Sequence, residues 1–445
     1  MKRLLFLAIL FPGLLFAQHT IKGVFSPPED YKFALLYKVN PTVSVYVKNA
    51  EVKKDGSFKF QLDSTNTKGI YRLVYAVPQE DYNFDIIYNG KEDIELTFNS
   101  ETGVDFKKSV ENRMLASYTS SMFKVTGSIS NYFHQATKDT LALKAIFKTQ
   151  YDTQNSYEKA SKGMIASHFI KANRPYMPKK VESVGTYTKN LKLHFFDAID
   201  FNNTTLLSSN FLTEKMLNYV FGVSSDDKSR FANYKKNIDV FCTKMKLASP
   251  EIKSNLLTEL WQQMADLNYE EVANYIADTY LIDLAVSLNN QLLLNALIQY
   301  KDISIGSKAP DFSLEIKNGN KKVSAKLSEL NIAETYILIF WSSECSHCLE
   351  EIPQLQSFLK AKEKEHIKVI AVALEDNDKQ WRYKIQSFPE FIHVLGLGKW
   401  DNAIGNKYGV SATPTYFILN KNKEITDKPS DFEDLKNFIS GHKAD

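Results

Sequence analysis

The sequence predicts a multidomain chain: an N-terminal all-β sandwich, a middle all-α region and a C-terminal α/β domain. Three observations predict it. Short β-rich runs separated by turn dipeptides fill residues 18–106. Between residues 111 and 305 only four glycines and three prolines occur, and so few breakers favour helices. After residue 301, near-continuous apolar runs alternate with helical patterns, as in a sheet covered on both faces. A length of 445 residues suits about three domains. With 44% hydrophobic and 24% charged residues, the composition excludes a disordered or membrane-embedded chain. Lys and Arg total 55 against 52 Asp and Glu, a net charge of +3. That balance argues against nucleic acid as a partner. Three cysteines are too few for a disulfide framework.

The first residues read as an export signal. Lys2 and Arg3 precede an apolar run of 13 residues, 4–16, and Ala17 precedes Gln18. This is the anatomy of a signal peptide over residues 1–17, cleaved after Ala17. The run falls short of the ~20 residues that span a bilayer, so cleavage is expected rather than anchorage. The remaining chain has 53 basic and 52 acidic residues. The expected location is the periplasm or cell envelope, where paired cysteines have redox meaning.

Residues 18–106 form the β module. Runs at 20–25, 33–39, 43–47, 57–62, 70–77, 84–88 and 93–98 are rich in Val, Ile, Tyr and Phe. Asp55-Gly56 and Asn89-Gly90 supply the positive-φ residues a tight hairpin needs. Phe58, Phe60 and Leu62 alternate with Lys59 and Gln61, giving one buried and one wet face. About seven strands suggest a small antiparallel sandwich. Residues 107–300 form the helical region. Leu256, Leu257, Leu260, Trp261, Met264 and Leu267 recur at helical spacing after Pro250, and Val272, Ile276, Tyr280, Leu284 and Leu288 form a second stripe. A spacer or dimerisation module is the expected role, with the oligomeric state left open.

Residues 301–445 form the α/β domain. Strands are expected at 336–341, 368–374 and 415–419, with helices at 349–362 and 378–386. A last helix is expected to start at Ser430, with Glu433 completing a capping box.

The chemistry lies at Cys345-Ser346-His347-Cys348, between a buried strand and a helix start. A helix N-terminus carries unpaired N–H groups and partial positive charge. A cysteine there has its thiolate stabilised. A second cysteine three residues on lies one turn along, within reach of a reversible disulfide. Cys345 is expected to be the nucleophile and Cys348 the buried resolving thiol, with His347 adding positive charge when protonated. No metal is expected, because a structural zinc site needs two further ligands and no second close Cys/His pair exists. Cys242 reads as a buried free thiol.

The residues around this motif carry a resemblance. Gly306-Ser307-Lys308-Ala309-Pro310-Asp311-Phe312 resembles the opening shared by peroxiredoxins and by TlpA-like and ResA-like thioredoxin-fold proteins. From there to the C-terminus the chain resembles the latter. Phe340-Trp341 before the loop, Pro353 eight residues after Cys345, and Tyr408 to Thr415 with Thr413-Pro414 are similar to thioredoxin-like segments. The resemblance implies a thioredoxin fold and a redox-active Cys345–Cys348 disulfide. It implies a cis Thr413–Pro414 bond facing Cys345, and client contact by Thr413, Pro414 and Trp341. Thioredoxin's buried acid position is occupied here by Ile339. Glu351, three residues after Cys348, matches the ResA-like glutamate, and the resemblance gives it the Cys348 proton. Ala50 to Phe60 resembles modules preceding such domains in Gram-negative envelope proteins.

The implied function is exported thiol–disulfide exchange with client proteins and a membrane or periplasmic redox partner, without cofactor. Glu344 and Ser346-His347 depart from thioredoxin, and a histidine at that place is typical of more oxidising relatives. An envelope scaffold with an incidental redox domain and a thiol peroxidase are the alternatives. The residues before Cys345 lack the peroxidase pattern.

Overall fold

A computed structural model describes residues 19–41, 43–79, 81–135, 139–222, 229–318, 321–361 and 366–441. The expected signal peptide, residues 1–17, lies outside the described residues. The chain packs as two compact units, Met1–Leu260 and Trp261–Asp445. Composition suggests segments ending at 106 and 300. Packing divides the chain inside helix Pro250–Asp266.

Among the described residues, the first unit begins with eight strands: β1 (Thr20–Ser26), β2 (Phe33–Val39), β3 (Ser44–Glu51), β4 (Ser57–Gln61), β5 (Gly69–Val74), β6 (Asn83–Tyr88), β7 (Ile94–Asn99) and β8 (Gly103–Lys108). They form two four-stranded sheets, ordered β4-β1-β7-β8 and β3-β2-β5-β6. One core, including Phe25, Leu36, Phe60, Leu73 and Leu96, is shared by strands of both sheets. Phe58 and Phe60 are buried and Lys59 is exposed, as period-two alternation requires. Two details depart from the sequence reading. β8 is an eighth strand, and β1 pairs with β7 in parallel. Asp55-Gly56 and Asn89-Gly90 do form turns, with Gly56 at φ +79° and Gly90 at +72°. Each turn leads to a strand of the other sheet, so the strands it joins are not ladder partners. Turn chemistry sets the bend but not which sheet receives the next strand. A side chain at Gly56 would place Cβ 2.2 Å from the Phe25 carbonyl oxygen.

Helices Val110–His134 and Thr140–Ala160 follow. Ser109 caps the first through the Asn112 N–H, and Asp139 caps the second through the Leu141 and Ala142 N–H groups. Asn112 is buried and pairs with both backbone groups of Ile87, at 2.8 and 2.7 Å. It thereby satisfies part of the open edge of β6. In the expected helix after Pro250, Leu256, Leu257, Leu260, Trp261 and Met264 are buried, whereas Leu267 is exposed.

In the second unit, the stripe beginning at Val272 and Ile276 changes phase. A π-helical turn, Ala277–Leu281, adds a residue to the repeat. Ala277, Leu281 and Ala285 then take the buried face, leaving Tyr280, Leu284 and Leu288 only half-buried.

The second unit carries β9 (Ser313–Asn318), β10 (Lys321–Lys326), β11 (Thr335–Trp341), β12 (Ile367–Glu375), β13 (Ile392–Leu397), β14 (Thr415–Asn420) and β15 (Ile425–Asp427). β9 and β10 form a hairpin, and the other five make one sheet ordered β13-β12-β11-β14-β15. β11 is parallel to β12 and antiparallel to β14. Ile337, Ile339 and Trp341 of β11 enter one core with Cys348, Ile352 and Leu435. Tyr336, Leu338 and Phe340 enter the opposite core with Tyr408 and Phe417. Both faces are covered, which is why the run is apolar without alternation.

The sequence reading omits β9, β10, β13 and the short β15. His393 and Gly396 interrupt the apolar run of β13, β9 has only Leu314 and Ile316 as apolar residues, and β10 is lysine-rich. The last helix is Phe432–Ile439, and its cap is Asp431 through the Asp434 N–H rather than Ser430.

Candidate active site

β11 ends at Trp341, and the helix Ser346–Ala361 begins five residues later. The intervening loop is held from the neighbouring strand. Glu375, the last residue of β12, is 3% exposed. Its Oε1 accepts the Ser343 N–H at 2.6 Å, and its Oε2 accepts the Ser342 hydroxyl at 3.4 Å. The sequence reading missed Glu375. The available signal was an acid closing the apolar run 369–374, at the carboxyl end of a parallel strand where sites of open α/β sheets form.

Cys345 stands at the helix start. Its N–H donates to the Ser342 carbonyl at 3.2 Å, and its carbonyl accepts the Leu349 N–H at 3.0 Å. Its sulfur is half-buried, 3.4 Å from the Cys348 nitrogen that donates to it and 3.2 Å from the Thr413 carbonyl oxygen. Partial burial opposes ionisation of Cys345. Hydrogen bonds from the Cys348 thiol and N–H, the Thr413 side chain and the His347 N–H outweigh it, and the thiol is held below its ordinary value. The Cys348 and His347 N–H groups are free amides of the helix end.

Cys348 is completely buried. Burial first, then donation of its proton to the Cys345 sulfur, pushes its thiol up to about 12. Both cysteines are thiols, as is Cys242 on helix Arg230–Lys244.

Thr413 and Pro414 are half-buried, and the peptide between them is cis. The structure brings Thr413 to Cys345, as described. His347 is exposed and reaches Cys345 only through its backbone N–H. Trp341, expected to meet clients, is 1% exposed and packs edge-on to Phe388 with ring centroids 6.5 Å apart. It belongs to the floor of the site.

Glu351, one helical turn beyond Cys348, accepts the Tyr416 hydroxyl at 2.7 Å and the Phe432 N–H at 3.1 Å, both on Oε2. Tyr416 shares the apolar core with Cys348, and burial followed by the Glu351 contact drives its phenol upward. Among the described residues, no group of three or more His, Cys, Asp or Glu is placed to hold a metal ion.

A mixed sheet with a dithiol at the N-terminus of its covering helix, facing a cis-proline segment, defines the thioredoxin-like class of thiol–disulfide oxidoreductases. Residues 305–428 match the family model described as the AhpC/TSA family. The thiol-disulfide oxidoreductase ResA of Geobacillus thermodenitrificans is 25% identical over 169 residues, covering 37% of this chain and 92% of that one. The thioredoxin-like protein YneN of Bacillus subtilis is 30% identical over 132 residues, 28% of this chain and 73% of its own. A solved thioredoxin-like protein from Bacteroides caccae is 17% identical, covering 60% of this chain and 98% of its own, with a TM-score of 0.42. Through its C-terminal domain, the chain belongs to the AhpC/TSA family. It is a thiol–disulfide oxidoreductase.

Proposed function

We propose that the protein is exported and exchanges disulfides with envelope client proteins through Cys345 and Cys348. The observation that carries this reading is the asymmetry of the two sulfurs. Cys345 is half-exposed with a lowered thiol, whereas Cys348 is fully buried with a raised one. Only the thiolate attacks a disulfide.

In the first step the Cys345 thiolate attacks one sulfur of a client disulfide. A Cys345–client bond forms, the client S–S bond breaks, and the second client sulfur leaves as a thiolate. Cys345 no longer accepts the Cys348 proton, so one cause of the raised Cys348 value disappears. Cys348 then loses its proton and attacks the Cys345 sulfur. The Cys345–Cys348 disulfide forms and the remaining client thiolate leaves. The protein is oxidised by two electrons and the client reduced by two. A dithiol redox partner in the membrane or periplasm restores the starting state, and no cofactor enters the cycle.

Glu351 takes the Cys348 proton in this scheme and returns it on re-reduction. Its Oε1 makes no hydrogen bond among the described residues, which leaves that oxygen for the transfer. Thr413 and Pro414 offer backbone to an extended client strand. Trp341 supports the loop from beneath, and the His347 N–H helps to hold the Cys345 thiolate. Support for export is the pattern of residues 1–17, with the envelope of a Gram-negative cell as the location.

Insulin reduction by dithiothreitol tests the reading. The wild type accelerates it and Cys345→Ser does not; equal rates overturn the redox role and favour a scaffold. Cys348→Ser stalls at the first step, and non-reducing gels of an envelope fraction then show mixed disulfides that dithiothreitol removes.

A further inference from the structure

The first unit contains a cleft that the redox chemistry does not use. It has a volume of about 760 Å³ and lies among helix Thr140–Ala160, residues 174–181 and residues 194–198. One wall is Arg174-Pro175-Tyr176-Met177-Pro178. Its two prolines fix φ and hold the backbone outside helix and strand. The Tyr176 ring stacks on His194 at 5.0 Å and 9°. Its hydroxyl donates to Glu182 at 2.7 Å and accepts from Asn190 at 3.2 Å. The ring is therefore set before any ligand arrives, and little ordering entropy remains to be lost. Phe147 forms the buried floor, and Tyr151 stands half out of the opposite side, 53% exposed.

The charge of this cleft is one-sided. Residues 144–198 hold ten Lys or Arg against four Asp or Glu, a local +6 in a chain of net +3. The single acid in the lining, Asp197, is already engaged by Lys244 at 2.9 Å and His194 at 2.6 Å. Arg174 is engaged by Glu158, and Lys148 by Asp152. Lys144, Lys179 and Lys180 line the same cleft, are exposed, and form no ion pair among the described residues.

We propose that this cleft docks acidic, aromatic-bearing peptide segments of other proteins. Three uncommitted ammonium groups ring a preformed aromatic and proline wall, which matches carboxylates on a chain that also carries rings. An enclosed small-molecule site would bury most of its ligand, whereas here the cationic rim is exposed. A membrane or nucleic acid reads a broad positive field, and outside residues 144–198 this chain has a net charge of −3. The proposal does not rest on the redox reading.

The test uses the full chain and a fluorescein-labelled hexapeptide, Glu-Asp-Tyr-Glu-Asp-Phe, read by anisotropy. The wild type binds saturably, and binding weakens as salt is raised. The exposed pair Lys179→Glu/Lys180→Glu weakens it at least ~10-fold, as does Lys144→Glu combined with either one, while circular dichroism stays unchanged. Replacing Tyr and Phe of the peptide with Gly weakens binding several-fold. Cys345→Ser binds like the wild type, which separates docking from thiol exchange. Binding unaffected by the lysine reversals overturns the proposal. So does a preference for phosphatidylglycerol vesicles or polyphosphate over the peptide.

Discussion

Replacing Glu375 with alanine tests the claim that this carboxylate holds the loop leading to Cys345. The Ser343 N–H is donated to Glu375 at 2.6 Å, in a residue that is itself 3% exposed. Removing the acceptor leaves that donor buried and unpaired, at a cost of about 1–3 kcal/mol. The one lost side-chain methylene adds roughly 0.8 kcal/mol. The longer Ser342 contact, 3.4 Å, adds little, because it lies near the limit of a hydrogen bond. The total is about 2–4 kcal/mol. Glu375→Gln keeps an acceptor and loses only the charge assistance, roughly 1 kcal/mol. The chain offers a selective probe. Three of the four tryptophans, Trp341, Trp381 and Trp400, lie well inside the second unit and Trp261 is its first residue, so urea unfolding followed by tryptophan emission reads chiefly that unit. With a slope of about 2 kcal/mol per molar, the alanine variant loses about 1–2 M in midpoint, and glutamine about 0.5 M. An alanine midpoint equal to wild type, or glutamine worse than alanine, refutes the reasoning.

Three further outcomes follow from the same geometry. Reduced Cys242→Ser protein, which removes the half-buried third thiol, takes up one iodoacetamide label at Cys345 between about pH 5 and about pH 10, with a midpoint below the ordinary thiol value of about 8.5. The sign follows from the thiolate being the reactive form, so a lowered thiol moves labelling to lower pH, and Cys348, raised to about 12, stays unlabelled. Labelling of Cys348 first would contradict it. Equilibration with glutathione gives a Cys345–Cys348 potential less reducing than about −270 mV, because a stabilised thiolate favours the dithiol; a value at or below that figure rejects the argument. Tyr416→Phe removes the 2.7 Å bond to Glu351 and lowers second-unit stability by about 1.5–3 kcal/mol in the same tryptophan assay. No change there would show that the pair is energetically idle.

The sequence made the redox site legible because its parts are local. A CxxC at a strand-to-helix junction, Pro353 in the following helix and Thr413-Pro414 before an apolar strand are contiguous patterns. Strand β11 was equally plain, since burial on both faces writes an unbroken apolar run. What escaped were relations between distant segments. Glu375 reaches the loop only because β12 lies beside β11, and its partners are 32 and 33 residues away in sequence. Glu351 was singled out, but the Tyr416 and Phe432 contacts depend on β14 and on the entry to the last helix. β1 pairing in parallel with β7, and the turns that carry the chain between sheets, depend on tertiary closure. The π-helical turn at Ala277–Leu281 displaced the stripe of the second helical pattern, because a fixed helical period cannot anticipate an inserted residue.

The unequal exposure of the two sulfurs has a consequence for damage by oxidants. A peroxide or hypohalous acid meets Cys345 and is shielded from Cys348. The sulfenic acid formed on Cys345 sits against a thiol already in hydrogen-bonding contact with it. Condensation expels water and yields the intramolecular disulfide that turnover itself visits, ahead of the irreversible sulfinic and sulfonic rungs. The lesion is thereby folded back into the working cycle, and whatever reductant recharges the enzyme also repairs it.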